Sequence, residues 1–327
     1  MIINDYIEIH NYTNSFIKMP SSSKFFKSSE FNERLNVLLQ GCYKRINGVC
    51  IQNINDILTG LNNYTKIFIK GGLIRDLIHD KQVTDIDIQF LINTKEEAIQ
   101  ICTKLNLPCN RIFEQEDGLT YIKFYNDLEG KTINENFLDY LENDVNGLLY
   151  DIEQKIIIDP TGTGFYNNLI KKFRIVQNTL DDWYVATKTA PIRIFKMFHK
   201  GYMLIDMQII PVKKWLNLNF NKFVNPIKSN INCSVLVCYL LKKIKGDKIR
   251  VNNNMCDITK EGTNIEQFNG VLAKMKEFDS EFYNKVVEHL SIYYPELNED
   301  YNINIYHHCI IAILIIFIIL IHCNHFR

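Results

Sequence analysis

The sequence predicts an α+β protein in which a sheet-containing region precedes a mainly helical one. Residues 67–69 form a short apolar run that stops at a glycine pair, which is typical of a buried strand ending in a tight turn. The alternation of acidic and apolar residues over 85–88 indicates a second strand. Beyond Ile205 apolar residues recur with helical spacing, most clearly over 268–290, which indicates helices.

Composition limits the class of protein. The chain has 327 residues, of which 46% are hydrophobic, enough for a large core and for two domains rather than one. Its 37 basic and 37 acidic residues balance, so an RNA partner would have to be held by local basic patches. Nine cysteines without a Cys-x-x-Cys pair indicate reduced thiols in an intracellular, cytoplasmic protein, and argue against a zinc site.

The domain containing the glycine pair is expected over 47–178. Before it, residues 1–46 are expected to form an extension without a secretory signal. Within that extension the serine-rich stretches 21–24 and 27–29 indicate a linker or a mobile surface segment, and the apolar positions of 31–39 indicate a short amphipathic helix packed on the domain. Further along, a helix capped by Thr94 is predicted over 95–105, a strand over 121–125 and a loop over 126–136.

The glycine pair and the acidic strand together indicate nucleotide chemistry. After Gly71 and Gly72 the chain changes to helical spacing, and outward-pointing N–H groups without a nearby Cβ can receive a phosphate. On the next strand Asp85 and Asp87 are expected to share one face. Because adjacent carboxylates repel each other unless a hard cation neutralises them, the pair predicts a Mg²⁺ site and metal-dependent phosphoryl or nucleotidyl transfer.

These two motifs resemble the head-domain signature of the family of tRNA nucleotidyltransferases (CCA-adding enzymes) and bacterial-type poly(A) polymerases. That signature reads GGxxRD followed after eight residues by DxD, and residues 71–76 and 85–87 carry it here. The resemblance implies a nucleotidyltransferase-type head with a mixed sheet, followed by a helical, RNA-binding neck and body over 179–300. It also implies that Asp85 and Asp87 hold Mg²⁺ for catalysis. The NTP-binding residues that it implies in the head are Gly71, Gly72 and Arg75.

Two further blocks resemble the family only in part. Residues 142–151 and 156–162 are similar to its RRDxTxNAxxYD and IIDPxG blocks, and 172–176 fits the strand that closes the head. The two arginines are replaced by Tyr140 and Leu141, and the aspartate by Glu142. Glu142 is either a third acidic group of the site or a surface glutamate.

Residues 189–196 resemble the family's EDPxRxLRA helix, which reads the edge of the incoming base. Arg193 and Lys196 stand at its arginine positions and are expected to reach the triphosphate of the NTP. With Lys200 they form a basic ridge, which suits a triphosphate or an RNA backbone but is otherwise a solvated helix face. Thr189 and Ala190 replace the acidic pair, so the selection of the base is not predicted.

Residues 303–327 form a hydrophobic tail. From Ile305 to Cys323 the tail as a helix would nearly span the ~30 Å core of a bilayer. A membrane anchor, a buried terminal helix and a buried strand are alternatives. The lysine cluster over 242–250 is either an RNA contact or an ordinary surface turn.

Two functions are compatible with these observations. The first is a template-independent RNA nucleotidyltransferase that uses NTPs, ATP or also CTP, to extend the 3′ end of tRNA or another RNA, by CCA addition or polyadenylation. The second is a catalytically inactive descendant of such an enzyme, which binds RNA or is tethered to a membrane by its tail. The retained aspartate pair favours the first, because an inactive protein has no reason to keep two carboxylates that repel each other. The oligomeric state is not predicted.

Overall fold

The described residues fall into two compact units, Met1–Val212 and Lys213–Arg327. The computed structural model describes residues 5–10, 12, 19–46, 49–83, 86–92, 94–106, 109–114, 120–124, 128–132, 141–186, 190–221, 249–251, 254–256 and 265–293. The first unit includes both the expected N-terminal extension and the expected domain with the glycine pair.

A mixed sheet forms the centre of the first unit. The strands of this unit are β1 (Ile7–Glu8), β2 (Lys24–Lys27), β3 (Cys42–Ile46), β4 (Val49–Asn53), β5 (Ile67–Lys70), β6 (Ile86–Phe90), β7 (Cys109–Glu114), β8 (Thr120–Phe124), β9 (Leu128–Thr132), β10 (Leu149–Asp151), β11 (Ile156–Asp159), β12 (Lys172–Phe173) and β13 (Met203–Leu204). Nine of these described strands form one sheet in the order β1-β2-β11-β10-β5-β6-β9-β8-β7. Only β6 and β9 run parallel within it. Strands β3 and β4 form a hairpin, and β12 pairs in parallel with β13.

Helices accompany the sheet. They are α1 (Ser29–Leu39), α2 (Ile54–Asn62), α3 (Gly72–Ile78), α4 (Lys95–Lys104), α5 (Gly164–Leu169), α6 (Leu180–Ala186), α7 (Ala190–His199) and α8 (Asp206–Leu218). Local chemistry explains where several of them begin. Asn53 and Asp56 form a capping box at α2, and Thr94 accepts a hydrogen bond from the Glu97 N–H at α4, which confirms the predicted cap.

The two faces of the sheet are buried against different partners. Ile67 and Ile69 of β5 lie in the larger apolar cluster with residues of α1 to α4, and the predicted amphipathic helix α1 is confirmed there. On the other face, Phe68 packs in a smaller cluster that includes Tyr12 and Phe25 of the N-terminal segment. The alternation of a strand therefore decides which side each residue of β5 contacts.

The N-terminal linker prediction is wrong. The interval 21–29 contains β2, which pairs with β1 on one side and β11 on the other. Phe25 belongs to the smaller apolar cluster and Phe26, 2% exposed, to the larger one. Two successive phenylalanines thus cover opposite faces of the sheet, and this burial outweighs the serine-rich composition around them.

Two further predictions of the sheet need correction. The predicted loop 126–136 contains β9, because hydrogen bonding to β6 and β8 on either side supports a strand despite Gly130. The predicted strand over 172–176 is limited to Lys172–Phe173 and pairs with β13 outside the main sheet. The strand predicted over 121–125 is confirmed as β8.

The second unit is mainly helical where it is described. It contains the end of α8, a hairpin of β14 (Ile249–Val251) and β15 (Asn254–Cys256), and helices α9 (Ile265–Phe278) and α10 (Ser280–Tyr293). Asp279 separates the two helices and accepts hydrogen bonds from Asn217 Nδ2 at 2.7 Å and from the Phe282 N–H at 3.0 Å. The predicted α+β fold, with a mixed sheet followed by a mainly helical region, is therefore confirmed.

The hydrophobic tail 303–327 and the lysines of 242–248 lie outside the described residues. Within the parts of the chain that the structure describes, no helix is long and apolar enough to cross a membrane.

Candidate functional site

The glycine pair forms a tight turn between β5 and α3, as the sequence predicts. Gly71 has φ +68° and ψ −116°, a backbone conformation that residues with a Cβ rarely adopt. Its N–H donates to the carbonyl of Leu148 at 2.8 Å, and a Cβ on Gly71 would lie 3.1 Å from the carbonyl oxygen of Asn146. Gly72 begins α3, and a Cβ there would lie 3.6 Å from the nearest nitrogen of Arg75, an ordinary contact. The strict requirement for glycine therefore falls on Gly71.

The acidic strand is β6, and its alternation is as predicted. Ile86 and Ile88 are 6% and 1% exposed, whereas Asp87 between them is exposed. In the antiparallel pair of β5 and β6, Asp87 is the register partner of Lys70, the last residue before the glycine turn. Asp85, the second predicted metal ligand, lies outside the described residues. The structure thus places one aspartate of the pair next to the strand that leads into the turn.

Sequence reasoning missed Glu129. In the parallel pair of β6 and β9, Glu129 is the register partner of Asp87, so Lys70, Asp87 and Glu129 form one row across three strands. Neighbouring strands are ~4.8 Å apart, which places the backbones of two acidic residues side by side. The alternation over 128–132 is a weak signal for a strand, and the polar residues and glycine around it favour a loop. Among the residues described, no group of three His, Cys, Asp or Glu side chains is close enough to hold a metal ion.

Arg75 is buried, at 5% exposure, and binds other residues of the protein. Its guanidinium donates to both carboxylate oxygens of Asp76, at 2.8 and 2.6 Å, and to Asn146 Oδ1 at 2.5 Å. Asp76 also accepts a hydrogen bond from Lys200 Nζ at 2.8 Å. Burial alone would raise the pKa of Asp76, but the hydrogen bonds and charges of Arg75 and Lys200 outweigh it and lower that pKa. Arg75 therefore ties α3 to the segment around Asn146.

Glu142 lies at a junction between that segment and α7. It is 9% exposed, so the alternative of a surface glutamate is wrong. One oxygen of its carboxylate accepts from Asn146 Nδ2 at 2.6 Å, and the other accepts from an Arg193 guanidinium nitrogen at 2.8 Å. Glu142 and Arg193, which belong to separate motifs of the sequence, are thus brought into contact.

Helix α7 begins at Ala190 and presents the predicted basic residues. Arg193 is exposed and Lys196 partly exposed, and Thr189 lies outside the described residues. At its two ends the helix is held by ion pairs, Arg193 to Glu142 and Lys200 to Asp76. Both ion pairs limit the interpretation of the ridge as a solvated helix face, although the Arg193 side chain remains 48% exposed and that of Lys200 27% exposed.

Two buried carboxylates, Asp144 and Asp159, hold the segment around α5 from Thr161 to Arg174. Asp144 accepts from Thr163 Oγ1, Asn167 Nδ2 and the Arg174 N–H, at 2.9, 2.6 and 2.8 Å. Asp159 accepts from Thr161, from the Gly162 N–H and from the Phe165 N–H. Burial raises the pKa of both groups, and the charge of Asp144 raises that of Asp159 further. All these donors belong to the protein, so the pair has a structural role in holding this segment.

Comparisons with known proteins concern the fold. No protein-family model matches the chain, and no curated protein matches it. Similar solved structures include a complex of a CCA-adding enzyme with CTP, at 14% identity and a TM-score of 0.46, covering 80% of this chain and 55% of that one. A tRNA-processing enzyme with CTP has 15% identity and a TM-score of 0.46, with coverages of 73% and 65%. A CCA-adding enzyme with ATP has 16% identity and a TM-score of 0.46, with coverages of 86% and 71%.

The chain spans 55% and 65% of the length of the first two of these structures. At identities of 14–16% they do not assign an activity to this chain.

Proposed function

We propose that the chain is a template-independent RNA nucleotidyltransferase, which transfers a nucleoside monophosphate from an NTP to the 3′ end of an RNA. The observation that supports this most is the position of Asp87, exposed on β6 beside the last residue of the strand that enters the Gly71 turn. A carboxylate that can hold a metal ion and the glycine turn at the start of α3 are thus adjacent. Nucleotidyl transfer requires a metal site beside a place for the phosphates.

The residues of the chain have distinct tasks in this proposal. Gly71 shapes the turn, Gly72 at the start of α3 lets the triphosphate approach the backbone, and Arg193 and Lys196 supply positive charge from α7. Arg75 supports the turn from behind through Asn146. The 3′ oxygen of the RNA forms a bond to the α-phosphorus, and the bond from that phosphorus to the pyrophosphate breaks. The proton of the hydroxyl leaves to solvent, so the protein contributes mainly positioning and charge.

The donor set fits Mg²⁺, the cofactor implied by the resemblance. Asp87 is an exposed hard oxygen donor, and the register places the backbone of Glu129 beside that of Asp87. Asp85 and Asp87 would hold the ion. When bound, the ion would neutralise charge that develops on the reacting phosphate.

The proposal also includes the identity of the nucleotide and of the RNA. ATP, and also CTP, are the proposed nucleotides, and tRNA or another RNA is the proposed acceptor. The protein is proposed to act in the cytoplasm. If the tail 303–327 spans a membrane, the tail is proposed to hold the protein there. A non-catalytic RNA-binding role is the second candidate. It is favoured by the engagement of both Arg75 and Arg193 with carboxylates of the protein.

The test is incorporation of labelled nucleotide by the full-length protein. Each NTP is supplied separately with Mg²⁺ and either a tRNA lacking its terminal CCA or an oligo(A) primer. Addition of A alone would favour polyadenylation, and ordered addition of C then A would favour CCA addition. Asp87→Asn should lower the rate by about 100-fold or more, as expected for loss of charge stabilisation at the reacting group.

Asp80→Asn is the matched control, since the Asp80 side chain is 84% exposed and pairs only loosely with Arg34, at 3.8 Å. It should leave the rate unchanged. Absence of incorporation by the folded wild-type protein, with no difference from the Asp85→Ala/Asp87→Ala variant, would contradict the enzymatic proposal.

A further inference from the structure

The countercharge of Arg193 comes from outside its own helix. Helix α7 reads APIRIFKMFH from Ala190 to His199 and contains no acidic residue. One partner that the structure shows is Glu142, with 2.8 Å between the guanidinium nitrogen and the carboxylate oxygen. Their side chains are unequally buried, with 48% exposure for Arg193 and 10% for Glu142. The carboxylate is therefore the fixed member of the pair, and the arginine is the member that a ligand can reach.

The same carboxylate is connected to the glycine turn. Its second oxygen accepts from Asn146 Nδ2 at 2.6 Å, and Asn146 Oδ1 in turn accepts from Arg75. The carbonyl of Asn146 lies directly against Gly71. A shift of Glu142 would thus disturb both Arg193 and the residue that supports the turn.

These contacts disfavour a metal-ligating role for Glu142. Both of its oxygens accept hydrogen bonds from the protein, and one of those bonds comes from a permanently charged guanidinium. A divalent cation on this carboxylate would have to displace Arg193 or remain a few ångströms from its charge, which is repulsive. A guanidinium, by contrast, carries five N–H donors in a planar fork, so an arginine can bridge a carboxylate and a phosphate.

We propose that Glu142 is a positioning residue, which holds Arg193 where that arginine meets the triphosphate of a bound NTP. The inference rests on the proposed function for the identity of the ligand. It assigns to Glu142 an effect on NTP affinity and none on the requirement for Mg²⁺.

Three variants of the full-length protein test the inference. Glu142→Gln removes the charge and keeps the size, and Glu142→Arg/Arg193→Glu reverses the pair. Glu153→Gln is the matched control, because it removes a carboxylate 2.6 Å from Lys66 at a position 62% exposed. The measurements are the Kd of a fluorescent ATP analogue, the KM for NTP, the Mg²⁺ concentration at half-maximal rate, and the unfolding temperature.

Glu142→Gln should raise the Kd and KM for NTP about tenfold, because Arg193 would lose the charge-assisted hydrogen bond to Glu142 that holds it in place. The Mg²⁺ dependence should stay unchanged. The reversed pair should recover only part of the unfolding temperature, because an arginine at 142 cannot accept the hydrogen bond from Asn146 Nδ2. It should still bind NTP poorly, because a carboxylate would then face the triphosphate. Glu153→Gln should bind NTP like the wild type.

Three results would overturn the inference. The first is a higher Mg²⁺ requirement in Glu142→Gln at unchanged Kd, which would make Glu142 a metal ligand. The second is NTP binding in Glu142→Gln equal to that of the Glu153→Gln control. The third is full recovery of NTP binding in the reversed pair, which would mean that the contact only holds α7 in place. If the wild type binds NTP more tightly than Glu142→Gln but adds no nucleotide, the proposed function fails and the inference stands. If the wild type does not bind NTP, both fail.

Discussion

Replacement of Gly71 by alanine tests whether the glycine turn depends on this backbone conformation. At φ +68° and ψ −116° a residue with a Cβ is strained by about 1–3 kcal/mol. The new Cβ would also lie 3.1 Å from the carbonyl of Asn146, which is closer than ordinary van der Waals contact. Asn146 cannot withdraw without disturbing its bonds to Arg75 and Glu142. We therefore expect Gly71→Ala to lower the free energy of unfolding of the first unit by about 3–4 kcal/mol.

Substitutions of two other glycines allow the conformational strain and the contact with Asn146 to be measured separately. Gly201 has φ +87°, but a Cβ added there would have no atom within 4 Å, so Gly201→Ala should cost only the conformational strain, about 1–2 kcal/mol. Gly60 lies in α2, where a Cβ would make an ordinary contact at 3.5 Å with Leu105. Gly60→Ala should be neutral or stabilise by up to about 1 kcal/mol, because alanine is the better helix former.

Urea denaturation followed by tryptophan fluorescence measures all three variants. The chain has two tryptophans, and in a Trp215→Phe background the signal comes from Trp183, which is buried in the first unit. Equal destabilisation by Gly71→Ala and Gly201→Ala would show that the contact with Asn146 contributes nothing. A Gly71→Ala variant as stable as Gly60→Ala would refute the requirement for glycine in the turn.

Two further predictions concern buried charges. Asp151→Ala should lower the free energy of unfolding by about 3–5 kcal/mol, because Lys66, 4% exposed, would keep only Glu153 as a described countercharge. Tyr12→Phe removes one hydrogen bond to Asp151 and should lower the free energy of unfolding by about 1 kcal/mol in the same urea titration. Asp76 has a pKa below its ordinary 3.8, so its contribution to stability is present above that value and is lost as the pH falls through its lower folded-state pKa. Asp76→Asn should therefore show a shallower loss of unfolding free energy on acidification below pH 3.8, and an unchanged slope would contradict the assignment.

The parts of the fold that the sequence predicted depend on local chemistry. The strand over 67–69, the turn at Gly71 and the alternation of Ile86, Asp87 and Ile88 are determined by neighbouring residues. The cap at Thr94 is likewise decided within four positions. Steric limits on the backbone and the period of a strand act over such short distances, so inspection of the sequence is enough to find them.

The parts that the sequence did not predict depend on distant partners. Strand β9 contains a glycine and charged residues, and only its pairing with neighbouring strands makes it part of the sheet. The position of Glu129 beside Asp87 follows from that pairing and was missed with it. The contact of Glu142 with Arg193 joins residues 51 positions apart, and no spacing rule connects them. Candidate site residues were thus identified by type, while their contacts required the folded chain.

The pairing of β2 with β11 has a consequence for how the chain folds during synthesis. Phe26 is paired with Ile157, and Tyr12 donates to Asp151 across 139 positions of sequence. At typical rates of translation, about 5–20 residues per second, the N-terminal strand waits on the order of ten seconds for the strand that it pairs with. Closure of so long a loop is slow, and the waiting strand carries two adjacent phenylalanines. The nascent chain therefore passes through a period in which this strand is open to pairing with other chains, which ends only when β11 has left the ribosome.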